Sequence, residues 1–306
     1  MRRKVPALEL LAYAVVCLVW GSTYLAIKVG LDSFNPFSFA ALRYWAAAPL
    51  MGLLAARAGV RFRFELRHLW PAFGVVVLFI GLCNGMVFWA ETRLDSSYTA
   101  LLITASPLWT ALLSALAGSW LPGEGRLGVR GWLGIAVGFV GSYFLLHPEK
   151  VLPENFFAAL VVEGSVVIWA VGSLWVRRVR ERYHPLEMAT WQMVSGALVL
   201  SFIALVRGER LLHSPLTAGA ALSLLYLVVF GSCLAFSAYF FLLRVWPATR
   251  VATSAYINPV VAVSLGWLVL GEWPGPEALL GGVLVLVGVS LVLGSPQPPP
   301  AAADPE

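Results

Sequence analysis

Charge is what this sequence has least of. Only 12% of its 306 residues are Asp, Glu, Lys or Arg, while 59% are hydrophobic. A soluble domain carries about 25% charged and about 45–50% apolar residues. With a mean hydropathy of +0.81, no water-soluble core could hide this much apolar surface, so the chain reads as an integral membrane protein. Cysteine is scarce as well. Cys17, Cys83 and Cys233 fall in apolar stretches with neither CxxC nor metal-ligand spacing; they read as small packing residues rather than as a disulfide or zinc framework. The four histidines, His68, His147, His184 and His213, all fall between apolar segments, so the pattern offers no metal or cofactor site. HExxH and GxxxxGK[ST] are missing too, and with them zinc-hydrolase chemistry and nucleotide-driven pumping.

What is present is apolar sequence in lengths that fit a bilayer, which needs about 20 mostly apolar residues per helix. The chain divides into ten such spans, near 8–30, 37–56, 69–90, 97–120, 129–146, 155–176, 186–206, 217–243, 249–271 and 276–294. The opening MRRKVPALELLAYAVVCLVW resembles a signal peptide, but its apolar run continues to Gly30 without an Ala-x-Ala-like site; it is expected to stay as the first span. The net charge of +5 does not call for a nucleic-acid partner. Fifteen Lys and Arg fall on one side of the predicted spans and five on the other, with Arg43 inside a span. That bias predicts a multi-pass cell-membrane protein with both termini in the cytoplasm. The Pro-rich tail 295–306 is expected to be disordered.

The most unusual stretch is Ala248–Gly271, a span whose first half carries Thr253, Ser254, Tyr256 and Asn258 before Pro259. Proline inside a helix removes a backbone bond and strains the preceding turn, costing about 3 kcal/mol in water. In a membrane such freed groups are tolerated where protein or a wet cavity serves them. Ser96–Trp120 echoes it, with Ser106–Pro107 in place of Asn258–Pro259. The echo extends along the chain: Trp20 and Trp169, and Pro36 and Pro185, are each 149 residues apart, Gly81 and Gly231 are 150 apart, and Pro107 and Pro259 are 152 apart. Residues 8–147 and 153–294 are therefore predicted to be two copies of five spans. An odd number of spans inverts the second copy, a pattern of secondary transporters with sites near the midplane.

The runs WGSTYLAIKVGL and FNPFSFAALRYW, then SSYTALLITASPLWTALLSAL and ATSAYINPVVAVSLGWLVLGEWP, resemble an EamA-type repeat, and the likeness covers about residues 8–294. The chain is thereby identified with the ten-helix members of the drug/metabolite transporter superfamily. The resemblance implies an all-α membrane fold of two inverted five-helix repeats around a central cavity. It also implies export or exchange of small metabolites, amino acids or drugs. Uptake of sugars or exchange of nucleotide-sugars is the alternative, and a membrane-embedded enzyme a weaker one.

Glu163 is the one acid clearly inside a span and is the candidate for proton coupling; carboxylates at mid-membrane cost about 2.5–3.5 kcal/mol. A place near the interface, paired with a loop cation, is its structural alternative. Arg43 is read as a structural charge, since the family carries Arg here in importers and exporters alike and Gln192 matches it 149 residues on. Trp20, Ser22, Tyr24, Asn84, Thr104, Ser106, Trp169, Ser237, Tyr239, Tyr256 and Asn258 are the candidates for the cavity wall, a mixture of orienting polar groups and aromatic surface. Pro107 and Pro259 are the expected helix breaks. Gly134, Gly138, Gly141, Ala278, Gly282 and Gly288 recur at small-xxx-small spacing. They mark the fifth and tenth spans as packing helices, within the scaffold or across a homodimer. The partners expected are a small-molecule solute, protons as a candidate coupling ion, and the lipid bilayer.

Overall fold

The computed structural model describes residues 6–62, 76–117, 128–146, 153–179 and 183–294. The tail 295–306, the basic N-terminus, part of the orientation set (Arg63, Arg67, Arg126, Lys150, Arg180 and Arg182), His68, His147 and the span portions 69–75 and 118–120 lie outside the described residues. The described chain is helical, with one isolated antiparallel bridge between Phe34 and Leu212. The helical segments are α1 (Ala7–Gly30), α2 (Pro36–Arg57), α3 (Val76–Ala90), α4 (Ser96–Ala117), α5 (Val129–Leu146), α6 (Pro153–Val179), α7 (Pro185–Val206), α8 (Ala218–Val245), α9 (Ala248–Leu270) and α10 (Gly275–Leu293). Eight of these are long and apolar enough to cross a membrane, and α5 supplies a shorter apolar helix. The protein is an all-helical, multi-pass membrane protein.

Local chemistry sets the helix ends. Pro36 and Pro185 open α2 and α7, where a missing N–H leaves no bond unmade. The free donors of the first turn of α2 find Glu209, whose Oε2 accepts from Phe37 N and Ser38 N, both at 3.0 Å. Gly59 and Gly208 end α2 and α7 at φ 70° and 65°, the left-handed region open to glycine. The connections 31–35 and 207–216 meet at one end of the bundle: Asn35 N donates to Leu211 O and Ser33 Oγ to Pro215 O.

α4 and α9 each tighten into a 3-10 turn, at Ile103–Ala105 and Thr253–Tyr256, directly before Pro107 and Pro259. The carbonyls that these prolines cannot serve belong to Ile103 and Ala255, four residues back and inside the tight turns. The helix resumes at Ser106 and Ile257, so the expected break takes the form of one narrowed turn.

The largest apolar core lies between α1, α2, α7 and α8 around Phe39, Tyr44, Met51, Met193 and Phe236. A second core joins α4, α5 and α10 around Leu102, Leu108, Val285 and Val289. α5 and α10 pack backbone to backbone: a Cβ on Gly134 would strike Gly288 O, and one on Gly141 would strike Val285 N. The small-residue faces of the predicted packing helices are thus used on each other.

Candidate solute cavity

Between the helices lies a cavity with about 800 Å³ of empty space, its mouth included. α1 contributes Trp20, Thr23, Tyr24 and Ile27; α2 contributes Arg43; α3 contributes Cys83, Asn84 and Val87. Ile103 and Ser106 come from α4, Ser165, Val166 and Trp169 from α6, Phe236 and Tyr239 from α8, and Ala252, Ser254, Ala255 and Asn258 from α9. Among the described residues, none of α5 or α10 is in this wall.

Trp20 and Trp169, which stand 149 residues apart in sequence, touch edge to face with ring centres 5.3 Å apart. Tyr239 packs on both, at 4.9 and 5.2 Å, and its hydroxyl bonds Ser173 Oγ. The Trp20 ring is fixed by Nε1 donating to Gly231 O at 3.2 Å. This gives a rigid aromatic surface with polar atoms at its margin. Asn258 reaches from α9 toward α1. With its amide oriented by the surrounding carbonyls, Nδ2 donates to Ser254 O at 3.0 Å and Cys17 O at 2.9 Å.

Arg43 is the charge in this wall. It is 2% exposed, donates from Nε to Ser232 Oγ at 2.7 Å, and stacks near Tyr44 and Phe88. Among the described residues no carboxylate lies within ion-pair distance of it. A buried cation without a counter-charge is costly unless something anionic arrives or water reaches it.

Of the sequence-predicted lining residues, the cavity brings together Trp20, Tyr24, Asn84, Ser106, Trp169, Tyr239 and Asn258. The others point elsewhere. Ser22 bonds Tyr226 OH and its own helix, Ser237 bonds Cys233 O, and Thr104 bonds Leu101 O. Tyr256 packs into the second core. Glu163 is also off the wall: its Oε2 accepts from Trp109 Nε1 at 3.2 Å, between α6 and α4. Sequence reasoning missed Ser165 and Ser254 and read Cys83 only as packing. Cys83 donates to Ser165 O and lies on the wall. A serine in an apolar span carries no signal of which side it faces.

It also missed Glu91, buried at the end of α3, and its neighbour Glu272, which accepts from Ser96 N (3.1 Å), Ser96 Oγ (2.7 Å) and Ser97 N (3.0 Å) at the start of α4. Burial pushes the Glu272 carboxyl up, but these bonds outweigh it and hold it below the usual carboxylate range. Both acids adjoin spans instead of lying inside them, which is why they read as loop residues.

Comparison with known proteins gives one consistent picture. The model of the EamA-like transporter family matches residues 7–147 and again 156–294. The inner membrane transporter YedA of Escherichia coli (strain K12) is 34% identical over 279 residues, covering 90% of this chain and 88% of that protein. The transporter YoaV of Bacillus subtilis (strain 168) is 23% identical over 277 residues, covering 90% and 92%. A protein of Streptantibioticus cattleyicolor named "probable terminal-alkyne amino-acid exporter" is 27% identical over 296 residues, covering 92% of each. One solved crystal structure aligns with a TM-score of 0.69 at 20% identity, covering 92% of this chain and 95% of that one, a likeness of fold.

Proposed function

Because the chain belongs to the EamA-like transporter family, and is a transporter rather than an enzyme, we propose that it exports small organic metabolites across the cell membrane by alternating access. Amino acids and related carboxylates are the solute class we favour. The proposed architecture is ten membrane-crossing helices in two inverted five-helix repeats, residues 8–147 and 153–294, with both termini cytoplasmic. Two matches to one family model and the recurrence of Trp, Pro and Gly at spacings of 147–152 support the repeats. The Lys and Arg bias supports the orientation.

The observation that carries the solute reading is the wall itself. It joins an aromatic surface from α1, α6 and α8 to polar atoms of Asn84, Ser106 and Asn258 and to Arg43, which has no counter-charge among the described residues, and none of its described lining residues is an acid. A carboxylate would satisfy Arg43, and an apolar body would rest against Trp20, Trp169 and Tyr239. Such a cavity disfavours cationic drugs. The named amino-acid exporter among the relatives supports the same class and direction.

The test is purified protein in liposomes, screened by counterflow against amino acids, sugar phosphates and cationic drugs. Exchange of carboxylates with exclusion of cations is expected. Preferred exchange of cations, or no exchange of any solute, would overturn the reading.

A further inference from the structure

The bundle end that holds the 31–35, 91–95 and 271–274 connections contains a charged group separate from the cavity wall. Glu91 follows α3 directly, is 0% exposed, and has no hydrogen-bond partner at either carboxylate oxygen. The nearby cation is Lys28 on α1, yet its ammonium serves backbone: Nζ donates to Glu91 O at 2.9 Å and Leu94 O at 2.7 Å. Glu272 approaches from the α9–α10 connection, where it is occupied with the start of α4, and Asp95 lies in the same connection as Glu91. Arg93 is turned away onto the Trp89 ring at 4.2 Å. Tyr24, which does line the cavity, is within electrostatic reach of Glu91 from α1. No titratable side chain of α2, α6 or α7, the helices packed on α3, Arg43 and Tyr44 of α2 included, acts on Glu91 among the described residues.

The other half supplies a comparison. Arg177, 149 residues after Lys28, donates to Leu243 O at 3.2 Å and Trp246 O at 2.6 Å. Leu243 and Trp246 stand 152 residues after Glu91 and Leu94. The same clamp, a cation on two backbone carbonyls, therefore ties α6 to the end of α8 as it ties α1 to the end of α3. Where one clamp buries Glu91, the other buries Leu243, also 0% exposed. The clamp needs no carboxyl there.

We propose that Glu91 is a proton-binding site coupled to the opening of this end of the transporter: it carries a proton while α1 is clamped over it and gives that proton to water when the clamp opens. The O–H bond breaks toward water, and the carboxylate left behind faces the Lys28 ammonium. Burial pushes the Glu91 carboxyl well above the ordinary range, with Lys28 opposing and Glu272 adding to the shift. A raised carboxyl means that the closed arrangement binds the proton more tightly than a hydrated one. Closure is then favoured in acid and lost as pH rises through the raised value.

This rests on the alternating-access reading, and the test separates the two. Full-length protein would be titrated from acid to alkaline pH by infrared difference spectroscopy, with the proton as the probe. In the Glu163→Gln background, which removes the buried acid inside a span, loss of a protonated-carboxyl band above the ordinary carboxylate range is expected, but not when Glu91→Gln or Glu91→Leu, the residue found in the matching clamp, is added. Opening would be read by maleimide labelling of Leu94→Cys in a background without native cysteines, relative to exposed Leu216→Cys. The labelling ratio should rise by up to tenfold per pH unit, the limit for one proton, and become flat when Glu91→Gln or Glu91→Leu is added. A band that persists without Glu91, or labelling with the same pH dependence with and without it, would overturn the proposal. Absence of counterflow for every solute, with both of these results intact, would instead count against the transport reading.

Discussion

Replacing Glu272 by Gln should destabilise the protein by about 1–4 kcal/mol at neutral pH, and geometry sets that figure. The carboxylate is 8% exposed; Oε1 accepts from Ser96 N, and Oε2 accepts from Ser97 N and Ser96 Oγ. A glutamine has one accepting oxygen, so one backbone N–H must face an amide donor. The Ser96 hydroxyl can turn and accept from the new NH2, but a backbone N–H cannot turn. A buried unsatisfied donor costs about 1–3 kcal/mol, and the lost charge at a helix N-terminus a further 0.3–1 kcal/mol or about that.

Thermal unfolding followed by tryptophan fluorescence in detergent measures it. The Glu272 carboxyl sits below its ordinary range, so its contribution is present above the unfolded value and fades as pH falls through the folded one. The gap between wild type and variant should therefore close in acid. Glu209→Gln is the internal control: both backbone donors at α2 bond the single atom Oε2, so one amide oxygen can serve them. Its cost should be charge effects only, about 0.3–1 kcal/mol at the helix end and about 0–1 kcal/mol for the half-exposed Arg207 pair on Oε1. Equal stability of Glu272→Gln and wild type at neutral pH, or equal losses at both sites, would refute this account of the caps.

Arg43→Gln should reduce exchange of carboxylates roughly tenfold or more, the loss of a charge-assisted bond worth about 1.5–3 kcal/mol, while relieving exclusion of cations in the same counterflow assay. Trp169→Ala should weaken solute binding roughly two- to tenfold, from an aromatic contact worth about 0.5–1.5 kcal/mol, measured by quenching of the remaining tryptophans. Gly141→Leu drives a side chain into the α10 backbone at Val285 N and should lower the unfolding temperature, an overpacking cost of about 1–3 kcal/mol. Gly52→Ala, whose added Cβ would meet only Thr190 Cγ2 at 3.9 Å, should not lower that temperature.

The helices were legible because bilayer thickness fixes their length, and Pro107 and Pro259 announced the two tight turns. Trp20 and Trp169 were legible as a pair because repetition singled them out. Side-chain direction was harder. In a membrane bundle both the lipid face and the protein face are apolar, so the period that orients a helix in water is weak. Ser22, Thr104 and Ser237 looked like wall residues on composition, yet each spends its hydroxyl on a carbonyl three or four residues back. Arg43 looked like an anchor, and its bond to Ser232 fits that; its place in the cavity depends on α8, nearly two hundred residues on.

The packing of α1 on α9 has a consequence for biogenesis. Their contact at Tyr13 and Thr253 joins residues 240 positions apart, and Asn258 completes its bonds on Cys17. While the ribosome is still making the first half, α1 can pack Tyr24 against Val87, Ala100 and Ile103, but the partners of the face that carries Tyr13 and Trp20 are not yet made. Trp20 must wait, turned to lipid or to a chaperone, for α6 and α8, and Tyr13 for the ninth helix. A chain released early would expose that face permanently, which makes it a mark by which quality control could distinguish an unfinished molecule from a finished one.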